Sequence, residues 1–517
     1  MNKAYILIML LAFTAMSCKN SFIDLSPDDQ ISGANFYKTE AQFRQALAGA
    51  YAPLRDLLLN DFYTAEMRSD NTHYEFYQVD RGTANVQREN IADFMDDPTN
   101  AYTNAVYFHC YTGISRANVI LGRIDGGTLS EAAKNDIVGQ AKFLRAFNYF
   151  KLVRYFGAVP LFLKEVINAD DAFLPRSSAE EVYNQIIADA TDAITKLDGP
   201  AFAAGKQSGQ ATKGAATMLL AEVYITQKKY PQAEALLTTL NTMGYDLLPD
   251  YASVFSTTSK NSKESIFEVQ YLEGLQINQF SDFIYRFLPR SSNTSIITGV
   301  KTDNGAIGGW NTPTQDMIDA YEVDDKRKDA SIAIAEGTYN ASYKFTFSAN
   351  RSIINYTPAA GKVGVPYIKK FLNPHANPGN TNDNWPIYRY ADALLLLAEA
   401  QNEQGKAEAL TSLNRVRARA FGNGEHSITV TDPATLKDII AHERRVELAF
   451  ENHRWHDLVR TGKAIEIMNA HGVKLKQQYS YLSPASYQVT QFRLLYPIPQ
   501  SERELNPALT QNDGYPK

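Results

Sequence analysis

The sequence predicts a mainly α protein, a scaffold of paired helices interrupted by an irregular, loop-rich lobe containing short strands. Three observations carry this. Apolar residues recur at three- and four-residue spacing through much of 40–240 and again beyond Tyr390. The stretches 211–240 and 390–420 each read as two short helices, rich in small residues and joined by a turn. Between them, 241–384 is rich in Gly, Asn, Ser, Thr and Tyr and loses helical period.

Helix begins at Glu40, with Phe43, Leu47, Ala50, Tyr51 and Leu54 on one stripe. Residues 60–99 are polar, aromatic and charged without a clean period, which predicts a long functional loop region. Helix returns over 101–124, where Val106, Cys110, Ile114, Ala117 and Leu121 share a face. A longer helix spans 130–155 and stops at Gly157 and Pro160. Val182, Ile186, Ala190 and Ile194 recur at four over 178–197. In the first helix pair Ala215, Leu219, Ala221 and Val223 face Ala233, Leu236, Leu237 and Leu240 across a turn at Lys228–Pro231. Small residues let the helices approach closely, and the spacing is tetratricopeptide-like. Ala393, Leu394, Leu397 and Ala398, then Gly405, then Leu410, Leu413, Val416 and Ala420 repeat the pattern. Ile266-Phe267-Glu268-Val269-Gln270-Tyr271 reads as a short strand. After Pro433 one strong helix is expected to run to Arg460, and the tail through Tyr496-Pro497-Ile498-Pro499 reads as extended surface chain.

Met1-Asn2-Lys3 followed by the apolar run Ala4–Ala15 has the form of a secretory signal, too short for a membrane span. Cys18 sits at the cut site, as in lipoprotein signals, although Ala15 stands where Leu is usual. Such a cysteine is acylated, and at about 0.8 kcal/mol per buried CH₂ several acyl chains anchor stably. Residues 20–33 then read as an extended leash. With Cys18 consumed by lipid, Cys110 has no partner for a disulfide.

Composition excludes several functions. A formal net charge of -6 gives no basic footprint, so nucleic acid is not an expected partner. His442-Glu443-Arg444-Arg445-Val446 starts like a metalloprotease motif but has Val446 where the second ligand belongs. His453 and His456 lie one turn apart without carboxylates at ligand spacing, and read as packing or surface histidines. The dense charge from Glu443 to Arg460 reads as structural ion pairs. No phosphate-binding loop or nucleophile elbow occurs. No enzyme, metal or cofactor is expected.

Binding chemistry is more suggestive. Asp70-Asn71-Thr72-His73-Tyr74-Glu75 lies in the first loop region and Gly308-Gly309-Trp310-Asn311 in the second. Sugars are held by flat aromatic faces and by side chains that hydrogen-bond hydroxyls. Asn71, Tyr74 and Trp310 are therefore the candidate ligand residues. Trp310 either offers an open face beside two glycines or anchors its loop to the core.

Several segments, in order, resemble the SusD/RagB family of surface nutrient-uptake lipoproteins. They are Phe22-Ile23-Asp24-Leu25-Ser26-Pro27, Arg145–Phe150 leading to Tyr155–Leu161, Ala211–Ala216, Pro313-Thr314-Gln315, Tyr388–Asp392, Glu443–Glu451, Arg454–Leu458 and Tyr496–Pro499. The resemblance implies a SusD-like scaffold of four tetratricopeptide-like helix pairs with a loop-rich ligand lobe. The division expected is 1–17 signal, 18–35 tether, 36–240 N-terminal helical region and 241–517 C-terminal region with the ligand lobe and late helix pairs. It also implies an outer-membrane location facing the exterior, an oligosaccharide ligand and a SusC-like TonB-dependent transporter as partner, without catalysis. A peptide-binding uptake lipoprotein and a purely structural tetratricopeptide scaffold are the alternatives.

Overall fold

Thr39 opens the first helix with a capping box: its hydroxyl accepts from the Gln42 N–H, and the Gln42 side chain accepts from the Thr39 N–H. The computed structural model describes residues 36–198 and 209–516, apart from 275 and 277. The signal, Cys18 and the leash lie outside the described residues. Helices α1 (Glu40–Tyr51), α2 (Pro53–Asp61), α3 (Thr83–Ala92), α4 (Ala101–Arg123), α5 (Glu131–Phe156) and α6 (Ala179–Lys196) form the first half of the scaffold. Helices α7 (Lys213–Thr226) and α8 (Tyr230–Leu240) follow, and α9 (Tyr390–Asn402), α10 (Ala409–Phe421) and α11 (Pro433–Glu447) complete it. Each packs on its predecessor from α4 to α8, and α8 packs directly on α9. The two helix pairs found far apart in sequence are thus neighbours. Glu234 of α8 accepts from Gln404 (2.8 Å) and pairs with Lys406 beyond α9 (2.5 Å). The chain between them is one long excursion from a continuous stack.

That excursion carries the strands. β2 (Ser265–Val269) pairs antiparallel with β7 (Trp385–Arg389) where the excursion leaves and rejoins the scaffold. A three-stranded antiparallel sheet has β4 (Ile332–Tyr339) between β5 (Phe345–Ser352) and β6 (Val363–Ile368). A two-residue ladder joins β1 (Thr72–His73) to β3 (Thr312–Pro313), tying the first loop region to the excursion.

Three expectations are corrected. Residues 60–99 are not one loop: α2 runs to Asp61, a π-helical turn follows over Phe62–Glu66, and α3 occupies part of the rest. The helix after Pro433 ends at Glu447, because Phe450 and Asn452 adopt left-handed backbone (φ 68° and 69°). A separate α12 (Arg454–Arg460) follows, then α13 (Ala464–Gln478), which the extended-tail reading missed. The turn is specified by Glu66, whose carboxylate accepts from the Phe450 and Asn452 N–H groups, each at 3.0 Å. A distant carboxylate therefore decides where α11 stops.

The charged helix is an ion-pair network, as expected. Glu443, Glu447 and Glu451, spaced by four, face Arg327, Arg389, Arg417, Arg419 and Lys370, with Glu264 of the excursion completing the cluster. Cys110 is a buried free thiol whose pKa burial pushes up. Among the described residues no helix is long and apolar enough to cross a membrane, and no three His, Cys, Asp or Glu side chains gather as metal ligands.

Candidate functional site: an aromatic cleft

A cleft of about 580 Å³ opens between the 73–76 segment, the 312–318 segment, the β4–β5 hairpin, β6 and the end of α13 with the chain leaving it. This lies within the usual range for small-molecule sites. Its floor is held rigidly. Asp70 is clamped by Arg454 (2.7 Å) and Arg445 (3.0 Å), and those guanidinium groups hold its carboxyl well below the usual range against the opposing effect of burial. β1 continues that clamped segment into Tyr74, Glu75 and Phe76.

One wall is aromatic. Tyr481 stacks on Phe76 with ring centres 4.0 Å apart and planes 6° from parallel. Tyr479 stacks on His73 at 5.2 Å and lies 5.3 Å from Tyr481. Both tyrosines are half-buried, so each offers ring surface to the cleft. Facing them, Tyr339 and Tyr343 at the hairpin tip are about 40% exposed (40% and 41%). The Tyr339 hydroxyl donates to Glu75, as does Tyr77, and the Tyr343 hydroxyl donates to Gln78 (3.0 Å). The hairpin is thereby latched to the floor. Thr312, Gln315 and Gln478 supply hydroxyl and amide groups to the lining. Burial pushes His73 down to about 3, so its ring is neutral and exchanges hydrogen bonds with Tyr481 (3.1 Å) and Tyr487 (3.3 Å).

The structure places the three sequence candidates unequally. Tyr74 lines the cleft, but its ring is 4% exposed and its hydroxyl donates to Asp93 at 2.8 Å. Asn71 is 1% exposed, donating to Glu66 (2.9 Å) and accepting from Arg445 (2.9 Å), and does not reach the cleft. Trp310 is fully buried, so the open indole face is corrected to an anchor. Its ring meets Tyr63 edge-on at 5.7 Å and lies under Arg88. The preceding glycines serve close backbone approach. A Cβ at Gly308 would sit 2.8 Å from the Leu288 carbonyl, and Gly309 (φ 84°) lies against Glu75. The pair turns the tryptophan inward.

Sequence reasoning missed Phe76, Tyr339, Tyr343, Tyr479 and Tyr481. The available signal was tyrosine in polar surroundings without helical period, as in Gln477-Gln478-Tyr479-Ser480-Tyr481.

Asp93 beneath Tyr74 gives a measurable pH response. Burial, with one carboxylate oxygen left unpartnered, pushes its pKa up to about 7. A raised acid pKa means that the folded chain holds a proton the unfolded chain releases. Its contribution to stability is therefore full below about pH 4 and is lost as pH rises through 7. Asp93→Asn keeps an acceptor for Tyr74 and cannot ionise. It should be more stable than the parent at pH 8, by on the order of a few kcal/mol, and match it at pH 4. Identical melting profiles for the two proteins across that range would refute the assignment.

The SusD family model matches residues 263–515, and a second model described as starch-binding associating with outer membrane matches 21–225. A SusD-like protein of Formosa agariphila is 28% identical over 546 residues, covering 100% of both chains. A SusD-like protein of Bacteroides ovatus is 26% identical over 501 residues, covering 87% of this chain and 82% of that one. Among solved structures, a laminarin binding SusD-like protein matches with a TM-score of 0.72 at 26% identity, covering 93% of this chain and 100% of that one. A SusD homolog from Bacteroides thetaiotaomicron matches with a TM-score of 0.78 at 23% identity, covering 94% and 99%. The helical stack, the excursion and the order of matched segments agree, and the chain belongs to the SusD/RagB family.

Proposed function

We propose that this chain is a cell-surface lipoprotein that captures oligosaccharides and passes them to a SusC-like TonB-dependent transporter. The observation that carries the binding step is the cleft wall of Tyr479, Tyr481 and Phe76 facing Tyr339 and Tyr343. Flat rings suit the C–H faces of sugar rings, and the flanking hydroxyl and amide groups suit sugar hydroxyls. The 26%-identical laminarin-binding neighbour supports the same reading. A peptide would need backbone partners or paired charges, whereas the wall offers side-chain ring faces. The chain is a carrier and not a catalyst. The test is calorimetric titration of the fragment from Lys19 onward with a panel of neutral and acidic hexasaccharides. Saturable binding to one glycan class supports the proposal, and silence across the panel overturns it.

Delivery needs an anchor and a partner. Cys18 acylation supplies the anchor, and Cys18→Ala should appear in soluble fractions. If the variant stays in outer membranes through carbonate washing, the anchor assignment is wrong. For the partner, Val166, Phe173 and Leu505 stand exposed in the lining of an apolar groove of about 320 Å³ on the scaffold, a surface suited to protein contact. Native solubilised membranes should yield the chain together with a large β-barrel transporter. Recovery of the chain alone counts against delivery.

A further inference from the structure

The charge of the cleft narrows its ligand class. Among the described residues no lysine or arginine lines it, and Glu75 is its sole carboxylate. Three basic groups nearby are engaged elsewhere. Arg81, behind Phe76, forms two hydrogen bonds with Glu89 (2.7 and 2.6 Å), and Lys474 pairs with Asp316 (2.8 Å). Arg290 is buried with its guanidinium on Asp80 and Asn85; its backbone N–H donates to Glu75, and its charge favours the ionised form of that carboxyl. Burial raises the pKa of Glu75, and the donors that favour its ionised form oppose this: the Tyr339 and Tyr77 hydroxyls, the Arg290 N–H and the field of the Arg290 guanidinium. A uronate or sulfate in this cleft would lose water, find no cation and meet a fixed negative charge.

We infer that the cleft selects neutral oligosaccharides and rejects uronate-bearing and sulfated ones, with Glu75 as the rejecting charge. The inference rests on the glycan-binding reading and deepens it. Rejection by one fixed charge is a specificity device independent of the stacking that supplies affinity. Glu75 also positions Tyr339, so its charge and its latch must be separated experimentally.

The experiment titrates the fragment from Lys19 onward with laminarihexaose, maltohexaose, xylohexaose and mannohexaose, and with hexagalacturonate and a hexameric guluronate. Acidic hexamers are expected to bind at least about 30-fold more weakly than the best neutral one. Glu75→Gln keeps the shape and an acceptor for Tyr339 while removing the charge. It should narrow that ratio by several-fold, whereas loss of the latch alone would weaken both classes equally. An acidic hexamer binding as tightly as the best neutral one, with binding lost in Tyr479→Ala/Tyr481→Ala, overturns the selectivity and leaves glycan binding standing. An unchanged ratio in Glu75→Gln removes Glu75 from the role. No binding by any hexamer overturns glycan binding and the selectivity with it.

Discussion

Replacing Tyr479 and Tyr481 together with alanine is expected to weaken binding of the best neutral hexasaccharide by about 100-fold. Both rings leave the end of α13 half-buried and present surface to the cleft. A truncated aromatic anchor in a binding surface costs about 1–2 kcal/mol or more, and two together approach 3 kcal/mol, a factor of about 100. The fold should persist, because α13 is anchored by buried Ala464, Met468 and His471, which do not line the cleft. Trp310→Ala is the contrast. Its side chain is fully buried, so it should lower the melting temperature, with a cost of about 3–5 kcal/mol. Unchanged affinity in the double tyrosine variant, with the fold intact by circular dichroism, would show that the sugar binds elsewhere.

The largest expected loss of stability is at Glu447. Its carboxylate meets Arg419 at 2.5 Å, Arg389 at 3.0 Å and Arg327 at 3.1 Å, all with 4% or less of the side chain exposed. Burial opposes ionisation, but the three guanidinium groups hold the pKa down at about 2. Removing one member of such a cluster leaves buried cations short of a partner, and Glu447→Ala should cost about 3–5 kcal/mol. The pH response follows from the depressed pKa. The unfolded carboxyl titrates near 4.5, so the contribution is whole above that and is lost as pH falls through about 2. The parent should therefore lose stability between pH 4.5 and 2, and Glu447→Ala should lose less over the same interval. Urea denaturation at several pH values measures both. Equal stability of parent and variant at pH 7 would mean that the network is energetically neutral.

Much of the scaffold was legible because its signals are local. The stripe Val106, Cys110, Ile114 and Ala117 marks α4, and Gly157 with Pro160 marks the end of α5, without reference to distant residues. The small-residue pairs at 211–240 and 390–420 announced their helices in the same way. The glutamates at 443, 447 and 451 announced a charged face, although not their partners from Arg327 to Arg419.

The binding site was not legible, because no local pattern specifies it. Tyr339, Tyr343, Tyr479 and Tyr481 come from segments more than 100 residues apart and converge on Phe76 only through the hairpin latch and the stack on α13. Trp310 illustrates the reverse error, since two preceding glycines suggest openness in sequence but permit tight backbone contact in space. The end of α11 also depended on distance, through Glu66 capturing the Phe450 and Asn452 N–H groups. Sequence by itself determined most of the scaffold helices and the pairing within 211–240 and within 390–420, because hydrophobic period and caps act within a few residues. Tertiary structure alone decided which aromatic rings remain open to a ligand, because exposure is settled by what packs against each face.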